Sequence, residues 1–85
     1  MNREIVDEMA EGAIVMDGFD DCIIGISEEF GQDTKIVYSK QRIIQKLMKS
    51  SEMTIEEATE YFYYNMVGGY FGERNPIFLT TSMAV

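Results

Sequence analysis

The chain contains no histidine, which removes the side chain that most often acts as a general base near neutral pH and the imidazole that most often ligates metals. Serine–histidine and cysteine–histidine catalysis therefore cannot be assembled within it. There is one cysteine, Cys22, so no intramolecular disulfide can staple the fold and a reducing compartment is the expected setting. Cys22 runs straight into Ile23 and Ile24 and reads as a buried apolar group rather than a nucleophile. Long apolar runs are missing too. Runs such as Cys22 to Ile26 are far too short for a signal core or a membrane span, and residues 1–15 are acidic rather than basic. The expectation is a cytoplasmic protein that does not meet a membrane.

Positive charge is scarce: seven Lys and Arg stand against fifteen Asp and Glu, a net charge of −8 with a pI near 4.3. Neutralisation of phosphates, which supplies most non-specific affinity for nucleic acid, has no overall footing here, and a duplex binder is not expected. The charge is unevenly placed. Residues 1–33 carry ten acids against Arg3 alone, residues 34–49 carry Lys35, Lys40, Arg42, Lys46 and Lys49 with no acid, and residues 50–85 carry five acids against Arg74. A basic segment inside an acidic chain either gathers an anion or pairs with the flanking carboxylates.

At 85 residues the chain is one domain, residues 1–85, and a chain this short buries only about 60–65% of the surface its unfolded form exposes. With neither disulfide nor metal to help, a homo-oligomer is expected. Ile5 with Met9 and Val6 with Ala10 give i, i+4 pairs for a helix over residues 3–11 that Gly12 stops. Cys22–Ile26 and Lys35–Tyr38 are strand-like and predict an antiparallel hairpin, in which Gly25 marks a bulge or a close backbone approach. Ser39 is an N-cap for an amphipathic helix carrying Ile43, Ile44, Leu47 and Met48. Thr54-Ile55-Glu56-Glu57 has the form of a capping box, and Ile55, Ala58, Phe62 and Met66 mark one face of the helix it opens. Pro76 forbids a helix through that point, and Ile77-Phe78-Leu79-Thr80-Thr81 reads as a third strand. The pattern predicts an α+β fold: a small antiparallel sheet of about three strands with helices packed on one face.

Three constellations bear on function. Tyr61, Phe62, Tyr63, Tyr64, Tyr70 and Phe71 place six aromatics in eleven residues. Four consecutive helical residues sweep most of a turn, so some of these rings face solvent, a partner subunit or a stacked ligand. Gly68-Gly69-Tyr70-Phe71-Gly72-Glu73-Arg74 sets three glycines near an arginine suited to phosphate. It is neither a Walker loop nor a dinucleotide fingerprint, and a helix end that needs glycine to turn into the last strand is the better account of it. Asp17, Asp20 and Asp21, with Glu28 and Glu29 nearby, do not follow EF-hand spacing and read as a solvated turn. The seven methionines suit an adaptable core or interface rather than a cofactor site. No cofactor and no metal are expected.

The blocks Gly18-Phe19-Asp20-Asp21-Cys22-Ile23-Ile24-Gly25, Met53-Thr54-x-Glu56-Glu57-Ala58-x-Glu60-Tyr61-Phe62-x-Tyr64-Asn65 and Gly72-Glu73-x-x-Pro76-Ile77-Phe78 together resemble a widespread family of small proteins of bacteriophages and bacterial genomes. The likeness runs from about Gly18 to Phe78 and brings no catalytic residues with it. It implies a phage or prophage setting, the host cytoplasm, and a binder rather than an enzyme. The first expectation is a counter-defence protein that sequesters a small anionic ligand, such as a nucleotide immune signal, in an oligomeric assembly. Tyr61, Tyr64 and Tyr70 would stack on the ligand, Asn65 would read its polar edges, and Arg74 with Lys40 or Arg42 would meet phosphate. The alternative is an acidic inhibitor of a host protein that mimics nucleic acid through Asp7, Glu8, Glu11, Asp17, Asp20 and Asp21.

Overall fold

A computed structural model describes residues 3–69 and 74–81. The first helix, α1 (Arg3–Met9), turns Val6 fully inward, and Ala10 enters the core just past the helix end. Ile5 and Met9, the other i, i+4 pair, are about half exposed at 49% and 52%. Gly12, with φ at +81°, takes the left-handed conformation that ends the turn at little steric cost. Arg3 braces the helix internally and ties it to the turn before the first strand, pairing with Asp7 at 3.0 Å and Asp20 at 3.2 Å.

A single 3₁₀ turn at Asp20–Cys22 leads into β1 (Ile23–Ser27), which pairs antiparallel with β2 (Lys35–Ser39). The register runs Ile23 to Tyr38 and then Gly25 to Val37, so Ile24 is the extra residue of a bulge at the place Gly25 marks in the sequence. Ser39 closes β2 and opens α2 (Lys40–Ser50), its hydroxyl accepting from the Arg42 amide at 3.2 Å. The capping box forms as the sequence predicts at the start of α3 (Ile55–Tyr61). Thr54 Oγ1 accepts from the Glu57 amide at 3.2 Å, and Glu57 Oε1 accepts from the Thr54 amide at 3.0 Å.

Beyond Tyr61 the helix does not continue as α. Phe62–Val67 is a π-helical segment, closed by the Gly68 amide donating to the Tyr63 carbonyl at 2.9 Å. A Cβ at Gly68 would lie 3.0 Å from that carbonyl oxygen and 3.2 Å from that of Tyr64, so the tight closure depends on glycine. Two side chains compete for helix carbonyls just before and inside the segment: Thr59 Oγ1 donates to Ile55 at 2.7 Å and Asn65 Nδ2 to Tyr61 at 3.3 Å.

The third strand, β3 (Ile77–Leu79), pairs with β2 and runs parallel to it, Val37 facing Ile77 and Tyr38 facing Phe78. The three-stranded α+β fold is as expected, but the sheet is mixed: antiparallel order holds for β1 and β2 only. A parallel neighbour needs a crossover of a dozen residues or more, and α2, α3 and the π segment provide it. One core lies on the sheet face that carries Ile23, Ile36 and Tyr38, with Val6, Ile43, Leu47, Ala58 and Phe62 packed into it from the helices. Phe78 sits edge-on to Phe62 at 5.2 Å, and the buried Tyr38 hydroxyl accepts from the Met16 amide at 2.8 Å. Among the described residues, no helix is long and apolar enough to cross a membrane.

Candidate functional site

Tyr61, Tyr64 and Asn65 come together as the sequence suggests. They lie along the outer face of α3 and the π segment with Glu57 and Glu60, and Met53 from the turn before α3 joins them around an open cleft of about 490 Å³. Phe62 and Met66 take the inward positions, which leaves Tyr64 76% exposed and Tyr61 41% exposed. The electrostatics differ from expectation. Among the described residues this cleft holds two carboxylates and no cation, so it repels a phosphate and favours a positively charged or planar neutral group.

The cations expected beside the tyrosines are elsewhere. Arg74 is a structural clamp: Nε and Nη2 donate to the Thr34 carbonyl at 3.2 and 2.5 Å, and Nη1 donates to the Glu11 carbonyl at 2.6 Å. Its planar fork fits the two carbonyls as it would fit a phosphate, and the convergence of Arg74 with Tyr64 is not seen. Lys40 turns to Tyr63, its Nζ 2.7 Å from the phenolic oxygen and 4.9 Å from the ring centroid. That pair borders a smaller cleft of about 240 Å³ with Val67, Phe78 and Thr80. Tyr70, with the middle of the glycine-rich segment, lies outside the described residues.

Arg42 belongs to a different surface. On α2, Lys46 and Lys49 stand at i+4 and i+7 from it, which places all three on one flank of the helix. Together with Gln45 and Ser50 they border a cleft of about 350 Å³, whose far wall is Asp21 and Cys22 from the 3₁₀ turn. Asp21 accepts from Lys46 Nζ at 2.7 Å, an interaction that lowers the pKa of the carboxyl and raises that of the ammonium. The Arg42 guanidinium reaches the Asp21 backbone carbonyl at 3.4 Å, and Lys46 stands 5.9 Å from the Phe19 ring centroid. Three cations thus face one carboxylate. Lys46 and Lys49 are missing from the site that sequence reasoning assembles, although their helical spacing after Arg42 is the signal that would have found them.

Cys22 borders the same cleft yet is 1% exposed, and its thiol is pushed up to about 11, first by burial and then by the neighbouring Asp21 charge. Thiolate chemistry is suppressed at this position. The turn acids are divided between cations, Asp20 with Arg3 and Asp21 with Lys46. Among the described residues no three potential ligands gather as a metal site would require.

No protein-family model matches the chain, and neither a curated protein nor a solved structure is detectably similar to it.

Proposed function

We propose that this is a non-catalytic binding protein that sequesters a small anionic ligand, and that the ligand's phosphate or carboxylate groups sit in the α2 cleft among Arg42, Lys46 and Lys49. The observation that carries this reading is the concentration of three cations around one concave surface of a chain whose net charge is −8. Such a cluster focuses the field on an anion that the rest of the surface repels, and Arg42 can add paired hydrogen bonds to phosphate oxygens. The phage setting and the role against host defence, with a nucleotide immune signal as the ligand, rest on the sequence resemblance.

Calorimetric titration with tripolyphosphate and with ATP tests the site. Saturable binding is expected, weakened at least tenfold in Lys46→Ala/Lys49→Ala and strengthened severalfold in Asp21→Asn, which removes the competing carboxylate. Binding unchanged by the double alanine variant would remove the cleft from consideration.

The second reading, an acidic inhibitor of a host protein, is favoured by a separate observation: the two glutamates flanking exposed Tyr61 and Tyr64. Its partner would fall away as salt rises and would be indifferent to the α2 lysines.

A further inference from the structure

The two charged faces of the molecule are complementary to each other. One, on α3 and the π segment, presents Glu57 and Glu60 beside Tyr61 and Tyr64. The other, on α2, presents Arg42, Lys46 and Lys49, with Asp21 the one carboxylate among the described residues that line it. Among the described residues no ion pair joins Glu57 or Glu60 to these cations, so neither face neutralises the other within one molecule. We propose that the acidic tyrosine face of one copy docks on the basic α2 face of a second copy, so that the protein self-associates through α3 against α2.

The charges match in number. The acidic face carries two negative charges, and the basic face carries a net two positive charges once Asp21 is set against its three cations. Tyrosine and arginine are the residue types that most often anchor interfaces, and the exposed rings give apolar area at low entropic cost. Tyr64, 76% exposed, has little contact within its own chain, and a guanidinium or ammonium from the second copy can settle on its ring face. A domain of this length also benefits from covering such area, because its own core is small. Contacts between two different patches build a two-fold dimer if both can be made reciprocally, and a ring or a filament if they cannot.

One consequence rests on the proposed anion site. A second copy and an anion draw on the same three cations, so tripolyphosphate dissociates the assembly.

Sedimentation velocity on the purified chain tests the docking. Association is expected at about 0.1 M salt and is lost near 1 M, where the screening length falls from about 10 Å to about 3 Å. Glu57→Lys/Glu60→Lys and Lys46→Glu/Lys49→Glu should each sediment as monomers. An equimolar mixture of the two, or one chain carrying all four changes, should associate again. Since Glu57 also caps α3, Glu60→Lys alone provides a check that leaves the cap in place, and circular dichroism confirms the fold of each variant. A wild-type monomer at about 0.1 M salt, or charge reversal that leaves association unchanged or is not rescued by the opposite reversal, would overturn the proposal. The two readings fail separately. Tripolyphosphate binding to a wild-type monomer removes the docking alone, whereas salt-sensitive, rescuable association without tripolyphosphate binding removes the anion site alone.

Discussion

The guanidinium of Arg74 crosses Gly12 so closely that a Cβ at residue 12 would stand 2.6 Å from Nη1. The glycine leaves the space in which Arg74 donates to the Glu11 carbonyl, and the same side chain reaches Thr34. Segments far apart in the chain are thereby joined: the end of α1, the loop before β2 and the approach to β3.

Gly12→Ala should destabilise the protein by about 2–3 kcal/mol, through a strained positive φ and the displaced guanidinium together. Arg74→Ala should cost about 2 kcal/mol or more, because carbonyls lose charge-assisted donors. For a domain of this size each kcal/mol moves the melting temperature by roughly 4–8 °C. In the double variant the losses should sum to less than the two singles; full additivity would show that the two residues act independently.

The raised thiol pKa of Cys22 sets its reactivity. At about 11, roughly a thousandth of the thiol is ionised at pH 8, against about a quarter for an ordinary cysteine near 8.5. Iodoacetamide labelling of the native protein should therefore run at least about a hundredfold slower than in urea, where burial is lost. Equal rates in the two states would contradict the buried, protonated thiol.

Glu57 titrates below the ordinary glutamate range because its carboxylate accepts from the Thr54 backbone amide. A lowered folded-state value means the cap contributes fully above the unfolded pKa, about 4.3, and is lost as pH falls through the folded value. Thermal melts should lose stability on acidification through that window. Glu57→Gln keeps an acceptor at the same place, so it should retain the cap and remove that share of the acid dependence; an identical acid limb in wild type and variant would count against it.

Glu52, just past the end of α2, holds φ at +53°, a conformation that glycine adopts without strain. Glu52→Gly should stabilise the protein by about 0.5–1 kcal/mol, whereas Glu52→Ala should bring no such gain. Urea unfolding curves for the two variants separate these outcomes, and a destabilised glycine variant would mean that the glutamate side chain makes a contact worth more than the strain.

Much of the local architecture could be read in the amino acids because its causes act over three or four residues. Ser39 and Thr54 sit beside the amides they cap, Ile24 and Gly25 place the bulge within one strand, and Cys22 is buried next to Ile23, where the apolar run begins. The basic row of α2 was equally legible, since helical spacing alone puts Arg42, Lys46 and Lys49 on one flank. Choices among distant partners were not. Arg74 offers the same fork to a phosphate and to the carbonyls of Glu11 and Thr34, and only the folded chain brings those carbonyls to it. The direction of β3 depends on where α2, α3 and the π segment return the chain, a property of their combined length and packing that Ile77–Leu79 does not encode. The separation of the tyrosines from the cations has the same origin. Residue types set what each surface can attract, and the tertiary structure decided that Tyr61 and Tyr64 face glutamates while Arg42, Lys46 and Lys49 face Asp21.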